Sequence, residues 1–403
     1  MQRVGSTILA LMCAAPTGAQ TFPDAIRLSG DARARLQTVD RRADTDATAL
    51  TLRLQLAAEA DLDAKTTVLG ELEGSLALID DFDDGVRQAG RAFIPDPEGL
   101  ELNRLQLSTE AIPDTRITLG RQRIALDDWR FIGAFPFRQN DQTFDAVRAE
   151  LTSLGPGIAD VIYFGRVLRP LGDDNVGGRF TGNSFAFNYN LPTPVGRVTA
   201  FHYRFDIETG PEGPLRHSFS NKVTGARLFG RRDGPVSASW DLSYATQSDH
   251  ASRTEDFQAD YWLAEGSLAR QGTSLTLRAE ELGSDLTPTG ERVAFQTPLA
   301  SLHRFQGLAD QFLVIPNVGV RDLSIRLQQD FPDIGAVSAI RGFIRYHDFN
   351  ASTGGADLGT EWDVSLGATL PGGQRFAFEY ADYDAGTFSS DTRILSLSLQ
   401  WGF

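Results

Sequence analysis

The sequence predicts an all-β chain closed into a single transmembrane antiparallel β-barrel of about 18 strands. Three observations predict it. Residues alternate between apolar and polar in segment after segment. The connections between segments alternate between short and long. The stretch Ile394–Phe403 keeps the alternation to its last residue, with Leu395, Leu397, Leu399, Trp401 and Phe403 on one side and Ser396, Ser398, Gln400 and Gly402 on the other. Trp401 and Phe403 suit the aromatic girdle of a membrane barrel better than the surface of a soluble sheet.

The 403 residues carry a formal net charge of -15, which argues against a nucleic-acid partner. Hydrophobic residues make up 41% and no apolar run reaches the ~18 residues a membrane helix needs, so a helical membrane protein is excluded. A barrel is not, because only alternate residues of each strand meet lipid. Met1 to Arg3, the apolar run Gly5–Ala15 and the small residues Thr17–Ala19 read as a secretory signal over 1–19, followed by a barrel domain over 20–403. The single cysteine, Cys13, falls inside that signal, which excludes disulfides and cysteine metal sites.

Eighteen segments carry the alternation: 26–39, 48–60, 66–79, 100–111, 114–125, 143–153, 157–168, 183–191, 196–207, 221–230, 236–247, 257–269, 273–283, 319–330, 335–347, 359–370, 374–383 and 392–403. Most have the length that a tilted strand needs to cross a bilayer. The segments 196–207 and 257–269 are the least regular. Short links such as 61–65, 112–113 and 371–373 hold the Pro, Gly and Asp of tight turns. The opposite links, such as 80–99, 126–142, 169–182, 208–220 and 284–318, are long. Short periplasmic turns and long extracellular loops are the plan of an outer-membrane barrel, and an even strand number puts both ends of the barrel on the short-turn side. In lipid every backbone polar group must be paired, so the sheet must close. Eighteen strands enclose an aqueous lumen.

The polar face is rich in arginine. Arg33, Arg35, Arg53, Arg104, Arg116, Arg148, Arg166, Arg227, Arg278, Arg326, Arg341 and Arg345 are the expected pore-lining residues, and Lys65 and Lys222 are the only lysines. A planar, permanently charged guanidinium fits carboxylates, so an arginine ladder would guide an anionic solute. Acidic residues share that face, and the plainer reading is that the two signs pair across strands and stiffen the wall. The acidic run at Asp80, Asp81, Asp83 and Asp84 reads as a solvated loop, since no calcium-loop motif is present. The loops 126–142 and 284–318 are too apolar for free solvent, so they are expected to enter the lumen or pack over its mouth. No enzymatic motif, cofactor site or metal-ligand spacing occurs among the five histidines. A barrel hydrolase built on a residue such as His202, and a plugged receptor-like or structural barrel, are the alternatives to a channel.

Several stretches resemble the alginate-export-type outer-membrane porins of Gram-negative bacteria: 49–60 (ALTLRLQLAAEA), 100–108 (LELNRLQLS), 117–124, 138–148 (RQNDQTFDAVR) and 295–313 (FQTPLASLHRFQGLADQFL). The resemblance implies a monomeric eighteen-stranded barrel in the outer membrane, surrounded by lipid and lipopolysaccharide. It also implies delivery by barrel-assembly machinery that reads the aromatic end at Phe403, and passage of anionic sugars or small organic anions. The near balance of acids and arginines points to a small anionic solute rather than a long polyanion.

Overall fold

The computed structural model describes residues 26–87, 90–175, 177–207, 219–251, 253 and 255–403; the expected signal at 1–19 lies outside them. The barrel strands are β1 (Ile26–Arg41), β2 (Ala47–Asp63), β3 (Thr66–Asp81), β4 (Gly99–Thr109), β5 (Thr115–Gln122), β6 (Thr143–Leu151), β7 (Ile158–Leu168), β8 (Arg179–Thr193) and β9 (Gly196–Phe205). They continue with β10 (Asn221–Arg232), β11 (Ser237–Asp249), β12 (Gln258–Arg270) and β13 (Thr273–Leu282). A small hairpin, β14 (Ser284–Leu286) and β15 (Arg292–Ala294), sits inside the longest loop. The wall resumes with β16 (Val320–Asp330), β17 (Ser338–Asn350), β18 (Asp357–Thr369), β19 (Arg375–Ala385) and β20 (Thr392–Gly402).

Each wall strand pairs antiparallel with its neighbours in sequence, and β20 returns to β1, so 18 strands form one closed sheet. The closing register sets Arg33 opposite Gln400 and Arg35 opposite Ser398. At the seam Gly30 and Phe403 exchange both backbone hydrogen bonds, at 2.8 and 2.9 Å. A side chain on Gly30 would collide with the Phe403 ring, which therefore covers a glycine built for it.

The outer wall carries Leu28, Leu56, Leu72, Leu242, Leu277 and Ile325, all exposed. Large apolar side chains facing outward around a closed ring are the surface of a membrane barrel, where lipid replaces water. The inner wall is split. Toward the short turns it is polar. Toward the long loops it carries a core of buried aromatics, including Phe144, Phe164, Phe201, Tyr203, Phe205, Tyr261, Phe349 and Tyr383. This is why 196–207 and 257–269 looked irregular: β9 turns Phe201, Tyr203 and Phe205 inward, and β12 turns Tyr261 and Leu263 inward, so neither face of these strands is uniformly polar.

Candidate functional site

Two loops enter the lumen. The 123–142 segment joins β5 to β6, and the 283–319 segment joins β13 to β16. They meet as a short parallel bridge at Ile132 and Leu299, with Gly133 N–H donating to Leu299 C=O at 2.9 Å and Ser301 N–H to Trp129 C=O at 3.0 Å. Phe131 packs on Phe201, Tyr261 and Phe295 with ring centroids 5.0, 5.4 and 6.1 Å apart. Arg130, fully buried, donates to Glu280 at 2.8 Å, Thr297 at 3.1 Å and Gln306 at 3.2 Å. On the opposite side Gln139 Nε2 reaches Thr51 Oγ1 at 2.8 Å and its Oε1 accepts from Arg33 at 2.9 Å. The first loop thus crosses the lumen from β1 and β2 to β9, β12 and β13, and the second lies beside it against β17 to β19 through Phe312. Apolar loop residues found a buried partner inside the ring, which outweighs exposing them to water.

A latch holds the two loops together. His303 stacks on Phe137 with centroids 3.7 Å apart, and its Nδ1 lies 2.9 Å from Asp310. Arg138 pairs with Asp310 from the other loop, and Glu379 of β19 lies 3.8 Å from His303 Nε2. Burial alone would lower the imidazole pKa, but Asp310 and Glu379 outweigh it and raise it to about 9. Gly307, at a positive φ of 77°, leaves no room for a Cβ against Glu361, and the turn it makes presents Ala309 N–H to that carboxylate at 2.8 Å.

The sequence-predicted arginines divide into three groups. Most are held by carboxylates or carbonyls of the wall and the loops. Arg33 also donates to the carbonyls of Pro136 and Arg138; Arg35 pairs with Asp96 and lies over the Phe137 ring; Arg53 pairs with Asp31. Arg104 holds Glu71, Arg148 reaches Asp160 at 2.7 Å, Arg227 reaches Asp241 at 2.8 Å, and Arg278 reaches Glu265 at 3.0 Å and Glu280 at 3.1 Å. Arg341 pairs with Asp330 at the short-turn end, and Arg116 stands exposed opposite Glu150. Arg166 departs from expectation. A register shift between Phe164 and Arg166 turns it to the outer wall, where it lies 3.4 Å from Asp145. The bulge at Gly165 inserts one residue and reverses the facing that strict alternation assigns.

Arg326 and Arg345 form the third group. They stand directly opposite each other on β16 and β17. Like charges placed so repel unless an anion lies between them. Arg345 donates only to Ser324 at 3.0 Å, and Arg326 lies over Phe343 at 5.9 Å. Arg304, from the second loop, joins them over Trp129 at 4.9 Å. Among the described residues none of these three forms an ion pair, and all three line one cavity of about 400 Å³ together with Arg227 and Arg278 and with the carboxylates of Asp128, Asp241, Glu265, Asp363 and Glu379. Sequence reading missed Arg304, Arg130 and Arg138 because they lie in loops, outside any alternating pattern; only their place in the 138–148 and 295–313 stretches marked two of them. His202, named for the hydrolase alternative, faces the outer wall and hydrogen bonds Thr224 at 2.7 Å.

This closed 18-stranded wall with two loops folded into it can be set beside solved structures. It superposes on Pseudomonas aeruginosa OpdO with a TM-score of 0.68 at 14% identity, covering 94% of this chain and 97% of that one. The fold is the closed 18-stranded barrel that these solved structures share. Pseudomonas aeruginosa OpdK, solved with vanillate, matches at a TM-score of 0.66 and 15% identity over 94% of this chain and 98% of that one. Acinetobacter baumannii OccAB4 matches at 0.67 and 11% identity over 94% and 98%. No protein-family signature and no curated sequence relative matches the chain.

Proposed function

We propose that the protein is a passive outer-membrane channel for small hydrophilic solutes that carry a carboxylate. The observation that carries this reading is the Arg304, Arg326 and Arg345 group: three guanidiniums on one cavity, two of them opposed in register, with no ion pair among the described residues. Guanidinium forks bind carboxylates in two-point geometry, and a row of them lets an anion step through without being trapped. Support comes from the barrel fold and from the similar OpdK, which was solved with vanillate, a small aromatic carboxylate. Alginate-type polyanion passage, the finer expectation of the sequence resemblance, fits the lumen less well. Two loops cross it, and most of its arginines already hold carboxylates.

The test is conductance of the purified protein in a planar bilayer with asymmetric KCl. Discrete steps with a reversal potential favouring Cl⁻, and a Cl⁻ current reduced by a small aromatic carboxylate, are expected. K⁺ preference would overturn the anion assignment. A second reading, a barrel plugged by its loops, is favoured by the span of the 123–142 segment across the lumen. An absence of steps would establish that reading instead.

A further inference from the structure

The outer wall of β9, β10 and β11 carries charge that the channel does not use. Arg204 and Lys222 stand opposite each other in register, and Lys222 stands opposite Ser248. One step toward the short turns, His202, Thr224 and Thr246 form a second row. All face outward, because the alternate positions Phe201, Tyr203, Phe205, Val223 and Ala245 are buried inside. Arg204 Nε donates to His202 Nε2 at 3.1 Å, and the other ring nitrogen lies 2.7 Å from Thr224 Oγ1. The histidine therefore accepts from Arg204, donates to the threonine, and leaves the two terminal guanidinium nitrogens free to point outward.

Near the long-loop ends of other strands several outward cations are paired. Asp145 holds Arg121 at 2.8 Å and Arg166 at 3.4 Å, Glu281 holds Arg321 at 3.0 Å, and Asp382 holds Arg393 at 3.1 Å. Arg204 and Lys222 form no ion pair among the described residues. Two carboxylates of this wall, Asp260 and Asp206, accept from Tyr244 Oη at 3.2 Å and from Asn183 N–H at 3.4 Å, and neither forms an ion pair with Arg204 or Lys222. Beyond the end of β11, burial and then Arg204 hold the His250 imidazole below its ordinary pKa, with Lys222 acting in the same sense and Asp206 and Asp249 opposing.

Depth selects the occupant. Tyr244 and Trp262 are opposed in register on the same outer wall and mark the interfacial aromatic belt toward the long loops. Ser248 lies four positions beyond Tyr244, which at about 3.3 Å per residue on a tilted strand puts the Lys222 end of the cation row roughly 10 Å beyond this pair, while Arg204 stands opposite the outward Phe185 of β8. That is head-group depth at the upper edge of the apolar belt, short of free solvent. We propose that Arg204 and Lys222, oriented by His202 and Thr224, dock the phosphate of an outer-leaflet glycolipid of the lipopolysaccharide class.

The test uses the full chain in neutral detergent. Bisphosphorylated lipid A, its dephosphorylated form and inorganic phosphate are titrated, and retained lipid is read by native mass spectrometry. Neutralising both cations by Arg204→Gln and Lys222→Gln should weaken binding of the bisphosphorylated lipid roughly thirtyfold, at about 1 kcal/mol for each basic residue near an anionic surface. The dephosphorylated lipid should bind wild type as weakly, Arg321→Gln should bind like wild type, and single-channel conductance should not change. Equal binding by the double variant, or of the dephosphorylated lipid, overturns the proposal; so does displacement of the lipid by equimolar inorganic phosphate, which would make this a free-anion site. If the double variant does not run as a heat-modifiable barrel on a gel, Lys222→Gln alone is read, with a loss of roughly fivefold expected.

Discussion

Arg53 and Arg326 occupy equivalent places, each inward-facing with another arginine opposite in register, Arg33 in one case and Arg345 in the other. Their neighbours set them apart. Asp31 neutralises Arg53, and Gln139 with two loop carbonyls satisfies Arg33. Arg326 and Arg345 form no ion pair among the described residues, although Asp363 stands opposite Arg345 on β18. Residue type told sequence reading that arginines face the lumen, but not which of them a carboxylate had already taken, because that depends on strands and loops far apart in sequence. Replacing Arg326 or Arg345 with Gln should lower the Cl⁻/K⁺ permeability ratio by roughly fivefold each, the effect of about 1 kcal/mol at a solvated site, read from the reversal potential. Arg53→Gln should lower it less and destabilise the wall more. Arg130→Ala would leave Glu280 with one partner fewer in a dry site, and removing one member of a buried pair costs about 3–5 kcal/mol. The expected readout is a lower unfolding midpoint in denaturant with the barrel still formed.

The eighteen strands were legible as elements because each presents one lipid-facing row, and that row needs no knowledge of the fold. Boundaries moved by a few residues: 183–191 extends to Arg179–Thr193, and 114–125 shortens to Thr115–Gln122. Loop apolarity told that 126–142 and 284–318 are covered, while the partner was hidden in the inward aromatics of β9 and β12. The latch between these loops has a definite pH sense. The His303 pKa, raised to about 9, means that its contribution is complete below its ordinary value near 6.5 and is lost as pH rises through 9. The charges facing it are Asp310, Arg138 and Glu379. Current fluctuations between sublevels should therefore increase from pH 7 to pH 10, and His303→Phe, which keeps the ring stack on Phe137, should make them independent of pH. A noise level that does not change across this range would remove the latch from the gating of the channel.

For the molecule as a whole, closure was implied by the sequence through the alternation of short and long links, and the structure adds the register of the seam. Arg166 shows the limit of such reading: one bulge residue reverses a facing, and no period in the sequence announces it. Gly30→Val should displace the Phe403 ring and weaken the closing pair. The folded, fast-migrating band on an unboiled gel should then collapse at a lower temperature, by several degrees at least, while Gly74→Val, with more room around its Cβ, should leave it unchanged.

The Gly30–Phe403 contact also fixes how the chain must come to its fold. Nearly every other wall contact joins strands adjacent in sequence and can form as hairpins accumulate. The seam joins residues 373 positions apart, the longest loop closure the chain makes. Until it forms, β1 and β20 expose two unpaired edges in a solvent that cannot hydrogen bond them. Slow folding follows from such contact order, and so does a requirement that those edges be shielded during insertion. A chain truncated before β20 would lose more than one strand: it would become an open sheet with no stable place in the bilayer.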